Sequence, residues 1–407
     1  ANIEELARIC ADHGVDWCNL GTFGLDAANE THDIALMWNG TEVGRLSCEF
    51  LHGAILMPIR EAVWDASWAV QQRAPKSSTT RAAQFARDLA QTPADALRVL
   101  EELLAHPNIA SKAWIIRQYD HEVQGSSVLK PLVGEPVGAS GGGPGDAAVI
   151  RPKKGSDKAL AIGNGLATGL GSDPYAMAIA AVDECVRNLV CVGADPTRIA
   201  ILDNFCWPSC KDPRNMGALV RACEGCYDAS KAFGAPFISG KDSLNNQFVT
   251  EDGRTIQIAP TLLIAGFAPV EKDTMAVSMD AKRAGSKLVL VGKTTNRLGG
   301  SHFALLAGAT TGATRIAAPD LIAGPRHAAA VARAIRAGVV RSAHDCSEGG
   351  LLVAAAEMAF SGRLGLSLDV GAMLTDGEVP ILSLCFAEDP SRYLLEVEEK
   401  DIAALLT

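Results

Sequence analysis

Residues 173–196, DPYAMAIAAVDECVRNLVCVGADP, decide the fold. Apolar side chains recur there every three or four residues, which predicts a long helix at about 174–193. The strand-like TRIAILDNF at 197–205 follows, then a second helical pattern at about 215–233. An apolar run next leads into the polar ISGKDSLNN at 238–246, which predicts a buried strand that ends in either a polar turn or a functional site. Strands that alternate with helices in this way indicate an α/β (α+β) fold.

Four segments are expected along the chain, and the first two precede this region. Residues 1–65 resemble the end of a domain, with a hairpin around Asn39-Gly40. Residues 66–113 form a helical connector, in which Pro93 suits the first turn of a helix. Because the head ANIEELARI matches part of the tail YLLEVEEKDIAALL, which predicts a strand and a helix start, we expect the chain to begin inside a duplicated domain.

The other two segments are the domains themselves, at 114–275 and 276–407. In the first, the pattern at 255–270, TIQIAPTLLIAGFAPV, predicts a hairpin, and GNGLATGLG at 163–171 reads as a glycine-rich loop. The second begins near the strand GSKLVLVG and continues with a helix at about 325–337.

Composition limits the possible functions. A length of 407 residues allows two or three domains. A net charge of -10 argues against a nonspecific grip on nucleic acid or on anionic membranes, since both require a basic surface. Eleven cysteines, without a signal peptide or a membrane-length apolar run, favour the reducing cytoplasm.

Four oxygen-bearing residues could bind one metal ion. Glu184 and Asn188 are spaced i, i+4 and share a helix face, Asp146 follows the glycines of GPGD, and Asp242 lies in the GKDS stretch. Carboxylate and amide oxygens favour Mg²⁺, which commonly accompanies a nucleotide phosphate. Each aspartate alone could equally be a cap or a turn former.

Two glycine pairs near helix starts, LGGS at 298–301 and SEGG at 347–350, could offer N–H groups to phosphate or could be plain turns. His344, beside Asp345, could be a general acid or base or a hydrogen-bonded turn histidine. The candidate phosphate or substrate residues of these loops are Gly299, Gly300, Ser301, His344, Asp345, Ser347, Gly349 and Gly350.

Four cysteines have spacings comparable to those of a zinc ribbon, namely Cys206, Cys210, Cys223 and Cys226. The last two fall inside the predicted helix at 215–233, so small buried thiols explain them better.

Taken in order, GDAAVIRP, the helix at 174–193, PFISGKDSLNN, LGGS and HDCSEGGLLVAAAEMAF make the chain similar to phosphoribosylformylglycinamidine synthase. The resemblance covers about 114–407 and implies a fold built from two AIR synthetase-like units with pseudo-twofold symmetry. Each unit has a strand-rich N-terminal domain and an α/β C-terminal domain. Residues 1–65 would end the first unit, 114–275 would be the nucleotide-binding N-terminal domain of the second, and 276–407 its C-terminal domain.

The resemblance also implies a site and a reaction. In the long form of the family, Mg²⁺ is held by the residues that match Asp146, Glu184, Asn188 and Asp242 here. The residues that match Gly145 and Ser243 touch ATP or ADP. In the short form, the matches to Gly240, Lys241 and Ser243 serve the reacting ATP, metal and substrate. That form has asparagine where Lys241 stands, so we expect Lys241 to contact phosphate directly. The family uses ATP and glutamine-derived ammonia to convert formylglycinamide ribonucleotide to its amidine.

Several family parts lie outside these residues, including the glutaminase and all of the first unit except its end. The second-unit echo of a substrate-contacting motif, AEDPSRYL, is at 387–394. We therefore expect a fragment that is inactive alone and works with the missing first half and a glutaminase. The alternatives are a noncatalytic module holding a structural Mg²⁺–nucleotide, or a related enzyme such as AIR synthetase, selenophosphate synthetase or a hydrogenase maturation factor.

Overall fold

The computed structural model describes residues 2–23, 33–53, 59–70, 91–118, 123–134, 142–307, 318–375 and 377–405. Two compact units emerge, Ala1–Ile59 and Arg60–Thr407. Among the described residues, no helix combines the length and the apolar character needed to cross a membrane.

The described part of the first unit holds two helices and a hairpin. The predicted turn at Asn39-Gly40 is confirmed, because both residues have positive φ, as a two-residue hairpin turn requires. The elements are α1 (Ile3–Asp12), β1 (Asp33–Trp38), β2 (Thr41–Ser47) and α2 (Cys48–Gly53).

The second unit opens with helices from the predicted connector. Pro93 occupies the first turn of one of them, as predicted, and Thr92 and Asp95 form a capping box before it. These helices are α3 (Ser67–Val70), α4 (Pro93–Leu104) and α5 (Ala113–Ile116).

A six-stranded sheet and two long helices follow. The elements are β3 (Ser127–Leu129), β4 (Leu132–Val133), β5 (Gly143–Pro144), β6 (Ala148–Ile150), β7 (Ala159–Leu166), α6 (Pro174–Cys191), β8 (Ala200–Cys206), α7 (Pro213–Phe233), β9 (Phe237–Ser243), β10 (Gln247–Val249), β11 (Thr255–Gln257) and β12 (Thr261–Val270). The sheet order is β3-β6-β7-β12-β8-β9, and only β8 and β9 are parallel neighbours. The predicted helices at 174–193 and 215–233 are confirmed.

Local signals explain both long helices. Asp173 and Asp212 cap them, each followed by a proline in the first turn, and Gly234 ends the second with φ of 64°. Every residue of α6 is buried except Tyr175 and Glu184. This helix is therefore the centre of the core, and Glu184 is an exception that requires an explanation.

Three local predictions for this domain are wrong. Strand β11 pairs with β10, while β12 pairs with β7 and β8, so 255–270 is not a hairpin. Strand β7 runs through Leu166, so the first half of GNGLATGLG is strand and not loop. Strand β9 is largely exposed, because it is the last strand of its sheet.

The C-terminal part contains β13 (Lys287–Val291), α8 (His302–Leu306), α9 (Ala323–Arg336), β14 (Val340–Asp345), α10 (Gly350–Gly362), α11 (Ile381–Phe386), β15 (Tyr393–Val397) and α12 (Ile402–Leu405). Its antiparallel sheet has the order β13-β15-β14. The predicted GSKLVLVG strand, the 325–337 helix and the terminal strand followed by a helix are confirmed.

Candidate metal and nucleotide site

A group of buried and half-buried polar residues lies where α6 meets β14, and we call it the acidic cluster: Asp146, Glu184, His344, Asp345 and Ser347. Potential ligand atoms of Asp146, His344 and Asp345 all lie within 4.8 Å of one another. The side chain of Asp146 is only 1% exposed. Its Oδ1 accepts hydrogen bonds from His344 Nδ1 and from the backbone N–H of Asp345, both at 2.8 Å.

The second oxygen of Asp146 is the most informative atom of the cluster. Oδ2 is buried and has no hydrogen-bond partner among the described residues. Leaving a buried carboxylate oxygen without a partner is costly, so such an atom requires an explanation, and a bound ion is one of the standard explanations. The surrounding carboxylates make a cation the fitting ligand.

His344 lies between two carboxylates. Its Nε2 is 3.1 Å from Glu357 Oε2, while Nδ1 faces Asp146. Burial alone would lower the pKa of His344, but the charges of Asp146 and Glu357 raise it well above its ordinary value. The residue belongs to β14, so the alternative of a turn histidine is wrong.

Arg187 neutralises part of the negative charge. Its Nε donates to Asp183 Oδ2 and its Nη1 to Asp345 Oδ2, both at 2.9 Å, and all three side chains are buried. Asp183 also accepts two bonds from Ser391, through the backbone N–H and the hydroxyl. This network joins α6 to the end of β14 and to the segment that leads into β15, which lie side by side at one end of the C-terminal domain sheet.

Glu184 reaches the cluster from α6. Its Oε2 accepts from the Leu166 N–H at 2.7 Å, and its Oε1 accepts from the hydroxyl of Ser347 at 3.2 Å. Burial, with the nearby charges of Glu348 and Asp345, raises the pKa of Glu184 well above its ordinary value. Asn188, one turn further along, donates to the Asn164 carbonyl at 2.8 Å.

Asp242 lies elsewhere, and this corrects the predicted grouping. Glu184 packs over Gly165 of β7. In the sheet, Gly165 is paired with Ile264 of β12, which is paired with Asp203 of β8, and Asp203 is paired with Gly240 of β9. Three strand spacings amount to about 14 Å, whereas ligands of one Mg²⁺ lie about 2.1 Å from the ion. By position, Asp345 is the carboxylate that accompanies Asp146 and Glu184.

A second group, the strand-edge cluster, comprises Asp203, Gly240, Lys241, Asp242 and Ser243. Asp203 accepts a bond from the Lys241 N–H at 3.2 Å, and Lys241 Nζ contacts the Ser243 hydroxyl. A Cβ on Gly240 would lie 2.6 Å from Asp203 Oδ1, so any larger residue would require that carboxylate to move. Burial and the charge of Asp242 raise the pKa of Asp203, a residue that the sequence patterns did not single out.

The remaining predicted residues lie near the acidic cluster or on loops. Gly145 approaches the backbone of Lys130 and Pro131. Ser301 caps α8, and Gly300 precedes it with φ of 92°. The N–H groups of His302 and Gly349 donate to Glu388, so at these two positions the glycine-rich loops already have an acceptor.

The four candidate zinc cysteines lie on a strand end, the following loop and a helix. Cys206 ends β8, and Cys223 and Cys226 belong to α7. Cys210 and Cys226 are buried and Cys223 is exposed.

Comparison with known proteins gives two domain matches. Residues 144–268 match the model of the N-terminal domain of AIR synthase related proteins, and residues 283–407 match that of the C-terminal domain. Together these two matches cover more than half of the chain.

Sequence relatives point to the same family as the domain models. The chain is 32% identical over 404 residues to the phosphoribosylformylglycinamidine synthase subunit PurL of Thermococcus sibiricus, covering 98% of this chain and 50% of the relative. It is 40% identical over 318 residues to that subunit from a Synechococcus strain, covering 74% of this chain and 38% of the relative. The chain thus spans half or less of these relatives.

The fold has a solved counterpart in T. maritima PurL complexed with ADP, at a TM-score of 0.50 and 18% identity, over 76% of this chain and 47% of that one. Because the models of both of its domains match, the chain belongs to the AIR synthase related family, and the sequence relatives described here are phosphoribosylformylglycinamidine synthase PurL subunits.

Proposed function

We propose that this chain is the second, nucleotide-binding half of a phosphoribosylformylglycinamidine synthase. The whole enzyme would use ATP to amidate formylglycinamide ribonucleotide in the cytoplasm, with ammonia from a glutaminase subunit or domain. The names of its relatives and the two matched domains support this assignment. The missing first half would complete the active site, and this chain alone would be inactive. The segment boundaries at 65, 113 and 275 belong to the same proposal.

The observation that carries the nucleotide proposal is the buried, unpartnered Oδ2 of Asp146. In this proposal Asp146, Glu184 and Asp345 hold Mg²⁺, with Asn188 as the neighbouring amide. Such an ion supplies charge neutralisation for nucleotide phosphates. Arg187 holds Asp345 in place through one oxygen, and His344 does the same for Asp146.

Two roles for nucleotide follow from the two clusters. His344 and Asp345 of the acidic cluster are buried, which favours a retained nucleotide that stabilises the fold without being consumed. The strand-edge cluster is exposed on β9, which favours contact of Gly240, Lys241 and Ser243 with reacting nucleotide and substrate from the missing half. Lys241 would meet phosphate with its ammonium group.

The test is binding of ADP and Mg²⁺ to the purified chain by isothermal titration calorimetry after treatment with a chelator. We expect Asp146→Asn and Asp345→Asn to weaken binding at least tenfold, since each removes a charged ligand. Asp242→Asn is the matched control and should bind like the wild type. Equal binding by all three variants would refute the site.

Turnover separates the two roles. With the missing half, ATP, substrate and ammonia supplied, a structural site predicts that Asp146→Asn lowers stability but leaves turnover per folded molecule intact. A catalytic site predicts loss of turnover instead. Lys241→Ala should lower turnover in either case.

A further inference from the structure

One glutamate joins the two glycine-rich loops of the C-terminal domain. Oε1 of Glu388 accepts from the His302 N–H at 2.8 Å and from the Gly349 N–H at 2.7 Å. His302 Nδ1 lies 3.0 Å from the same oxygen. His302 follows LGGS and begins α8, whereas Gly349 belongs to SEGG and precedes α10. A single carboxylate oxygen therefore holds both helix starts.

The start of α10 depends on this contact. Gly349 and Gly350 both have positive φ, and no side chain caps the helix. A Cβ on Gly350 would lie 2.7 Å from the carbonyl oxygen of Ala387, the residue before Glu388. The SEGG loop is thus pressed against the 387–388 backbone and hydrogen-bonded to the Glu388 side chain, and backbone N–H groups at a helix start favour a negative partner.

The same loop carries Ser347 into the acidic cluster. The Ser347 carbonyl accepts from the Gly350 N–H at 3.0 Å, and its hydroxyl donates to Glu184. Arg187 Nη2 lies 3.4 Å from that hydroxyl. Ser347 lies two positions before Gly349, whose N–H donates to Glu388, so movement of the loop would shift Ser347 relative to Glu184 and Arg187.

We propose that Glu388 is a positioning residue, an internal anion that fixes the SEGG loop and thereby places Ser347 and Asp345 for the Mg²⁺–nucleotide site. The effect on nucleotide binding rests on the proposed function. We call the bonds from Glu388 to the His302 and Gly349 N–H groups the clamp. The clamp rests only on these contacts, so it can be tested separately from the effect on nucleotide binding.

The environment of His302 provides a local reporter. Its other ring nitrogen is 3.1 Å from Asn108 Nδ2, and its ring meets that of His106 edge to face at 5.6 Å. Burial alone would lower the pKa of His302, but the bond to Glu388 raises it above the ordinary value, with a smaller contribution from Glu348. Loss of the Glu388 charge should therefore lower the pKa of His302 in an NMR titration.

The experiment compares Glu388→Ala, Glu388→Gln and the exposed control Glu399→Ala. Glutamine keeps an acceptor for both N–H groups, so it should bind MgADP within about threefold of the wild type. Alanine should weaken binding about tenfold or more, as loss of an outer-shell partner typically does. Added acetate should fill the vacated space and restore binding to the alanine variant, a rescue that a general packing defect would not show.

Hydrogen exchange tests the clamp without nucleotide. Glu388→Ala should speed exchange of the Gly349 amide, acetate should slow it again, and amides in the middle of α10 should be unchanged. If the alanine variant does not fold, Glu388→Asp replaces it, because the carboxylate is then one methylene too short to hold both N–H groups. Unchanged Gly349 exchange would overturn the clamp, and an unaffected MgADP affinity would overturn its role in positioning. Failure of the wild type to bind MgADP would instead overturn the proposed function.

Discussion

Replacing Arg187 by methionine should be among the most damaging single changes in this chain. Arg187 is buried and bonds Asp183 and Asp345, each at 2.9 Å. Removing one partner from a buried ion pair leaves an uncompensated charge and typically costs about 3–5 kcal/mol. Methionine has a similar volume and is apolar, so the loss reports charge more than packing.

The loss of unfolding free energy should not be twice this value, although both Asp183 and Asp345 lose their bond to Arg187. Asp183 keeps its two hydrogen bonds from Ser391. We therefore expect a loss of about 4 kcal/mol, nearly all from Asp345, out of the roughly 5–15 kcal/mol that stabilises a typical domain.

The assay is urea denaturation followed by far-ultraviolet circular dichroism, in a chelator so that metal loss does not contribute. The double variant Arg187→Met/Asp345→Asn should be destabilised by less than the sum of the two single variants, and the difference should be about 1–3 kcal/mol. Arg254→Met, which breaks an exposed pair with Asp252, should leave the unfolding free energy unchanged. A loss of less than about 1 kcal/mol for Arg187→Met would refute the reasoning.

Two further predictions concern other parts of the fold. Gly240→Ala should destabilise the chain by about 1–3 kcal/mol in urea denaturation, because its Cβ would overlap the carboxylate of Asp203, whereas Gly365→Ala, with open space around it, should not. The hydrogen bond to Asp228 raises the pKa of Tyr175 to about 12, so stability from the neutral phenol is complete below about pH 10 and lost as the pH rises through about 12. Asp228→Ala should return the ultraviolet titration of Tyr175 toward about 10, and an unchanged titration would contradict this assignment.

Local chemistry was sufficient to predict the helices and the first hairpin. An aspartate and a proline at the start of α6 and α7, and the Asn39-Gly40 turn, act within a few residues of chain. Strand pairing is different, because the partner of β12 is chosen by the whole sheet, and adjacency in sequence suggested β11 incorrectly. The exposure of β9 depends on its edge position in the same way.

The candidate site likewise contains features that local sequence predicts and features that depend on the whole sheet. The i, i+4 pattern correctly places Glu184 and Asn188 on one helix, since that spacing is local. The choice between Asp242 and Asp345 depends on sheet order, which no local pattern contains. Nor could any pattern within one domain reveal the bond between Asp146 and the Asp345 N–H, whose partners are 199 residues apart.

The reach of the Arg187 network has a consequence for synthesis of the chain. Asp345 follows Arg187 by 158 residues, which at ribosomal rates of about 5–20 residues per second is roughly 8–30 s of translation. During that interval the α6 segment has already been synthesised, but Arg187 lacks its partner Asp345 and Asp183 lacks its partner Ser391. Nascent chains of this protein should therefore delay final docking of α6 until β14 and β15 leave the ribosome, and they should be susceptible to chaperone capture in the meantime.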